Sequence, residues 1–215
     1  MTSLAMKTKT GYTLPTNKRI YLFALACCIQ AIYVPTSFRI SGGIEPKLSI
    51  DVFPIWPVWV VPYVSCYLLW FFSFVWVILK MDDHSFRALI AGCFLSFAIG
   101  TSTFVFFPTY VRQAALEGND IFTSILRFIH ENWGRYDAFP SGHVYITTLL
   151  ALFYNRWYPH RKLLWISIVI MVSLSTLFTG QHYVVDVLGG FVVAFTGYRF
   201  GLWWTGSLPA RNRLN

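Results

Sequence analysis

Residues Ala138–Ile146 read AFPSGHVYI and open an apolar run that continues to Tyr158. Read as a membrane helix, this run begins with Pro140-Ser141-Gly142-His143. That start puts an ionisable ring where an apolar residue would insert more easily. Whether the run is a membrane helix depends on what flanks it. A bilayer-spanning helix needs roughly 20 mainly apolar residues, and six runs approach that length: about 19–35, 57–79, 88–107, 141–158, 163–180 and 183–204. Short polar loops separate them, such as Lys80-Met81-Asp82-Asp83-His84 and Asn155–Lys162. The expected fold is all-α: an integral membrane bundle of six transmembrane helices. No internal repeat or linker divides residues 1–215, so a single domain is expected.

Composition agrees with that class. The chain has 215 residues, 56% of them hydrophobic and only 12% charged, against about 25% charged in soluble domains. Aromatic residues make up 19%, with Trp near the ends of apolar runs, as at Trp203-Trp204, where membrane interfaces favour it. The formal charge of +8 does not indicate nucleic acid, because the basic residues sit in short loops and tails between apolar runs. The four cysteines, Cys27, Cys28, Cys66 and Cys93, all lie inside apolar stretches and read as small packing residues. Tyr21–Val34 is followed by Pro35-Thr36-Ser37-Phe38. That is no small-residue cleavage site, so the first run reads as an uncleaved span.

Charge sets the expected orientation. With six spans both termini share a side. That side holds Lys7, Lys9, Lys18, Arg19, Lys80, Arg87, Arg156, Arg161, Lys162, Arg199, Arg211 and Arg213; the other holds Arg39, Lys47, Arg112, Arg127 and Arg135. Twelve basic residues against five put both termini in the cytoplasm, in a plasma or inner membrane. Two segments then lie outside the bilayer on the far face, about 36–56 and 108–140. Within the second, Ile121, Phe122, Ile125, Ile129 and Trp133 approximate a helical stripe. A short interfacial helix between spans 3 and 4 is expected there.

The topology brings three polar clusters to one depth on the extracytoplasmic face: Phe106–Arg112, Pro140–His143 and Thr179–Asp186. His182 and Asp186 are four apart and share a face if helical. An isolated carboxylate deep in a membrane helix costs roughly 2.5–3.5 kcal/mol on insertion scales, so Asp186 needs a partner. It could accept the Nδ1–H of His182 and leave Nε2 free as nucleophile or base, the orienting logic of a Ser-His-Asp triad. Pro140 suits the first turn of a helix. The unpaired N–H groups near Ser141, Gly142 and His143 would form an anion site. Arg112 and Arg135 could bind phosphate oxygens, and His143 could protonate a leaving group.

Other polar residues have plainer readings. Ser175 and Ser141 could bind phosphate or simply hydrogen-bond locally. Asp82, Asp83 and His84 resemble a metal-ligand set but fit a solvated turn better, and His130 with Glu131 also reads as solvated. Gly189, Gly190 and Gly197 fit close helix packing.

These residues resemble the phosphatidic acid phosphatase type 2 superfamily of membrane phosphatases and phosphotransferases. Its pattern is Lys-x6-Arg-Pro, then Pro-Ser-Gly-His, then Ser-Arg-x5-His-x3-Asp. The second part is complete at Pro140–His143. The third is matched at Ser175, His182 and Asp186, with Thr176 in place of the Arg. The first is reduced to Arg112, with Gln113 in place of the Pro and Val105 in place of the Lys. The similarity covers roughly residues 105–190. It implies a phosphohistidine on His182, orientation by Asp186, protonation of the leaving group by His143, and no metal or cofactor. Phosphate contacts would fall to Arg112, Arg135, Ser141, Gly142 and Ser175, with Arg127 also available. Ser175–Gly190 also resembles the inositol phosphorylceramide and sphingomyelin synthase branch, whose members pass a phospho-headgroup to a lipid alcohol.

The leading expectation is therefore a metal-independent phosphatase acting on a lipid phosphate or pyrophosphate among membrane lipids. A headgroup transferase is the alternative. An inactive lipid-binding or transport protein, and a hydrolase using His143, His182 and Asp186 as metal ligands, are readings of other classes.

Overall fold

The computed structural model describes residues 13–38, 42–132 and 136–207. Its helices are α1 (Thr16–Ala31), α2 (Tyr33–Ser37), α3 (Val60–Lys80), α4 (Asp83–Phe106), α5 (Ile121–Asn132), α6 (Gly142–Trp157), α7 (Lys162–Phe178) and α8 (Val184–Trp204). The fold is all-helical. The only β-type pairings among the described residues are isolated bridges, Ile44 with Thr109 and Thr109 with Asp137.

Five segments are long and apolar enough to cross a membrane: Thr16–Pro35, Pro57–Lys80, Asp83–Phe106, Pro159–Phe178 and Val184–Trp204. The remaining expected run, 141–158, is α6, with 16 helical residues and about 24 Å of rise. It stops at Trp157 because Pro159 disfavours helical geometry in the residue before it. Its core-facing residues include Tyr145, Leu149, Leu150 and Phe153, each no more than 1% exposed. It packs against α4, α7 and α8. At one end His143 stacks on Tyr63 of α3; at the other Tyr154 meets Trp165 of α7.

Glycines bring the two most closely packed helices, α4 and α8, together. A Cβ on Gly197 would lie 2.8 Å from the Gly92 carbonyl oxygen, so only hydrogen fits there. Large apolar side chains such as Leu68, Phe72, Leu163 and Val192 point outward on α3, α7 and α8, as expected of helices in contact with lipid.

The end of the bundle where α3 finishes and α4 starts is closed by an ion pair. Arg19 is only 8% exposed. Its guanidinium pairs with Asp83, donates to the carbonyls of Met81 (2.6 Å) and Ile78 (3.1 Å) and lies over the Phe86 ring. Asp83 also accepts the Leu14 N–H at 2.6 Å. Asp82 caps α4 through the Ser85 N–H at 2.9 Å. The solvated-turn reading of Asp82, Asp83 and His84 therefore needs correcting: Asp83 is a structural anchor. No group of metal-ligand type occurs among the described residues.

Helix α5 lies outside the long helices. It buries Leu126 and Ile129 against Val60 and Tyr63 and exposes Ile121, Ile125 and Phe128. The expected single stripe is thus two apolar edges, one facing the bundle and one facing outward. Trp133 lies outside the described residues.

Candidate active site

The opening stretch folds as a loop followed by a helix start. Ser141 is the N-cap of α6 and Gly142 its first helical residue. Pro140 precedes the cap, joined to Phe139 by a cis peptide bond, and so does not occupy the first turn as expected. The Ser141 N–H donates to the Asp186 backbone oxygen at 2.9 Å, tying the start of α6 to α8. Gly190 permits that approach, since a Cβ there would lie 2.9 Å from the Ser141 oxygen and 2.8 Å from Val144 Cβ.

The turn between α7 and α8 places His182. Gly180 has φ +67°, a left-handed conformation that side-chain-bearing residues rarely adopt. The N–H groups of Gln181 and His182 then fold back onto the Thr176 oxygen at 3.0 and 3.1 Å. His182 lies just ahead of α8 and its Nδ1 is 3.6 Å from Asp186 Oδ2. That distance suits charge attraction but exceeds a hydrogen bond. Asp186 Oδ2 instead accepts the Tyr183 N–H at 2.8 Å. Asp186 Oδ1, His182 Nδ1 and Ser141 Oγ are buried with no hydrogen-bond partner among the described residues. The expected His–Asp hydrogen bond is therefore not made, because a backbone donor at the helix start holds the nearer oxygen.

His143 meets His182 with ring centroids 5.9 Å apart. An aromatic wall on α3 holds it. Tyr63 stacks on its ring at 4.2 Å, Tyr67 meets it edge-on at 5.4 Å and Trp70 lies at 5.6 Å. Tyr67 Oη is 3.0 Å from His143 Nε2.

Both histidines open onto one cavity of about 1070 Å³, which Gly142, Arg112, Arg127 and Asp137 also line. Arg112 pairs with Glu45 at 3.1 Å while staying exposed. Arg127 donates to the carbonyls of Leu116 and Gly118. Arg135 lies outside the described residues. Ser141, Ser175 and Asp186 are fully buried and set back from the cavity wall. Ser175 donates its hydroxyl to the Val172 oxygen at 2.7 Å, which is its plainer reading. His130 is half-buried, with Nε2 3.0 Å from the Thr179 oxygen, and so joins α5 to the α7–α8 turn rather than facing solvent. Burial holds its imidazole below the ordinary value.

Sequence reasoning missed several contributors. The segment 42–56 lies over the α7–α8 turn. Trp56 stacks on Phe178 at 4.8 Å. Asp51 accepts the Val184 N–H at 2.8 Å, and Glu45 accepts the Tyr183 hydroxyl at 2.6 Å. These partners are remote in sequence, so no local pattern announces them. Asp137 was also missed, although it stands three residues ahead of Pro140. It lines the cavity, and burial pushes its carboxyl up to about 6 against the opposing pull of His182.

Two comparisons bear on this arrangement. A segment of 65 residues, 30% of the chain, is 34% identical to the inositol phosphorylceramide synthase catalytic subunit of Saccharomyces cerevisiae, and it spans only 16% of that protein's length. Residues 53–200, which include α3 to α7, most of α8 and every cavity histidine, match the PAP2 superfamily. The chain belongs to the PAP2 superfamily.

Proposed function

We propose that this chain is a membrane-embedded phosphatase that hydrolyses a lipid phosphate ester or pyrophosphate through a phosphohistidine on His182. Superfamily membership and the synthase similarity support an enzyme of the phosphatase or phosphotransferase type acting on lipids. The observation that carries the finer reading is the meeting of His182 and His143 at the mouth of one large cavity, with Asp186 buried behind His182. In the first step His182 Nε2 attacks phosphorus, the bond from phosphorus to the leaving oxygen breaks, and His143 supplies that oxygen with a proton. In the second step water attacks phosphorus, its proton passes to His143, and the P–N bond breaks to restore His182. Asp186 steadies the cationic ring between steps. Gly142 and the first N–H groups of α6 face the phosphate oxygens, with Arg112 and Arg135 as the cationic contacts. Ser141 supports the loop, and Ser175 acts through packing.

The same reading takes the whole chain as one domain of six spans. Helix α6 is the sixth, because it packs between α4, α7 and α8, which are long and apolar enough to span. Helix α5 lies in the interface on its Ile121, Ile125 and Phe128 edge. The basic-residue asymmetry puts both termini in the cytoplasm and the cavity mouth on the extracytoplasmic side.

A second reading, headgroup transfer to a lipid alcohol, is favoured by the similarity to the yeast synthase subunit. The test is phosphate release from phosphatidic acid and from polyprenyl pyrophosphate, in detergent with EDTA, by wild type and by His182→Ala. The expected result is release by wild type and a loss of more than about a thousandfold in the variant. Release only when a lipid alcohol is supplied, with phosphate appearing on that alcohol, would replace hydrolysis by transfer. Activity that EDTA abolishes and zinc restores would overturn the phosphohistidine route.

A further inference from the structure

The cavity does not end below the histidines. On α3 its lining continues from Tyr63 through Tyr67, Trp70, Phe71 and Phe74 to Ile78. From Tyr63 to Ile78 the helix advances about 22 Å at ~1.5 Å per residue. One leaflet of a bilayer is about 15 Å of hydrocarbon, half of the ~30 Å core. The part down to Phe74, about 16 Å, matches the depth of a single leaflet, and the lining ends one turn below it at Ile78. Its chemistry changes with depth. Arg112, Arg127, Asp137, His143 and His182 stand at the mouth, whereas Phe23, Phe74, Ile78, Phe97 and Ile146 line the lower part.

Two observations define the edges of that lower part. Phe71 and Val75 line the cavity, are 62% and 38% exposed and flank Phe74, which meets Phe23 of α1, so an accessible apolar wall lies beside α1. Level with Val75, the Phe23 and Phe74 rings close across α1 and α3 with centroids 4.4 Å apart, and on α3 only Ile78 lines the cavity below them. Beneath them the Arg19 guanidinium binds the Ile78 carbonyl and pairs with Asp83. A hydrocarbon chain cannot continue into that charged, fully hydrogen-bonded plug without stranding the ions.

We propose that the lower cavity is a channel for one long hydrocarbon tail of the substrate, loaded sideways from the bilayer between α1 and α3, with the Phe23–Phe74 pair setting the longest chain it accepts. This rests on the reading of the mouth as a lipid-phosphate site. It adds the seat of the tail and the residues that measure it. A tail held there places its phosphate between His143 and His182 and fixes its depth, because the apolar part and the polar mouth are continuous.

The test uses the full chain in detergent with two series of esters, n-alkyl phosphates from hexyl to hexadecyl and linear isoprenyl phosphates of matching span. For each ester the kcat/KM of Phe74→Trp is divided by that of wild type, which cancels partition into micelles. The ratio is expected to fall with chain length by about tenfold or more between hexyl and hexadecyl, since each excluded methylene forfeits its transfer from water. Phe23→Ala is expected to shift the preference to longer chains. A fall in the alkyl series alone, or in the isoprenyl series alone, identifies the tail. A flat ratio in both overturns the proposal. If Phe74→Trp does not fold, Val75→Trp at the lateral mouth gives the same reading. Binding is checked separately with hexadecyl phosphate carrying a photoreactive chain end, on wild type and His182→Ala. Label in α1 and α3 supports the channel even if no ester is turned over, in which case only the phosphatase reading fails. Label confined to the outer faces of α7 and α8 overturns the channel.

Discussion

The two ends of the bundle both bury charge, and they treat it differently. In the Arg19–Asp83 cluster every charged group is satisfied. The guanidinium meets two carbonyls and a carboxylate, and that carboxylate also takes the Leu14 N–H. At the His182 end the groups are close but incompletely bonded. His182 Nδ1, Asp186 Oδ1 and Ser141 Oγ are buried with no partner among the described residues, and Asp186 lies 3.6 Å from the ring it faces. A buried polar group left unbonded costs about 1–3 kcal/mol, so such groups are few in folded proteins and call for an explanation. The satisfied cluster is where the chain gains stability. The unsatisfied one lies behind the cavity wall that His182 forms.

That contrast breaks or sharpens under mutation. The largest structural effect is expected from Arg19→Met, which leaves the Asp83 carboxylate without its cation. Removing one partner of a buried pair destabilises by about 3–5 kcal/mol, reduced here because Asp83 keeps partial solvent access. The measurement is thermal unfolding in detergent, where a clear drop in Tm is expected while kcat of the surviving folded protein stays within about twofold. A Tm equal to that of wild type would erase the distinction between the two ends. A smaller effect is expected from Tyr67→Phe, which deletes the hydroxyl 3.0 Å from His143 Nε2 and keeps the ring. Loss of a positioning hydrogen bond should lower kcat by about tenfold, the equivalent of ~1.4 kcal/mol, with KM little changed and Tm nearly constant. A matching rise in KM would mean instead that the hydroxyl contacts substrate.

Much of this contrast was legible in the sequence, because it rests on local patterns. Pro140-Ser141-Gly142-His143 and the four-residue step from His182 to Asp186 point to the candidate site, and long apolar runs separated by charged loops identify the helices. What escaped is decided by tertiary competition. The His182–Asp186 hydrogen bond was expected from spacing alone, but the Tyr183 N–H at the start of α8 reaches Asp186 Oδ2 first. Asp83 looked like a solvated loop residue until α1 brought Arg19 against it. Arg112 looked like a phosphate clamp, and segment 42–56 supplies Glu45 as its partner. Tyr63, Tyr67 and Trp70 have the spacing of an ordinary lipid-facing helix. Nothing short of the fold shows that they wall in His143.

The smallest effect expected, and the one that tests the site end most directly, concerns Asp137. Its backbone bridges Thr109, and its carboxyl lines the cavity, where burial pushes its pKa up to about 6 and His182 pulls the other way. A free aspartate titrates near 3.9. The folded state therefore holds this proton more tightly than the unfolded chain does. By linkage, the resulting stabilisation is fully present below about pH 4 and is lost as pH rises through about 6. Asp137→Asn removes the titration. The Tm of the variant relative to wild type should therefore be higher at pH 8 than at pH 4, with most of the change between pH 4 and 6. An inflection near pH 6 in the wild-type rate profile should disappear as well. Infrared difference spectra should show a protonated carboxylic acid in wild type at pH 5 that is absent from Asp137→Asn. An equal Tm difference at the two pH values would mean that Asp137 is solvated or fully paired. The comparison with Arg19 would then rest on His182, Asp186 and Ser141 alone.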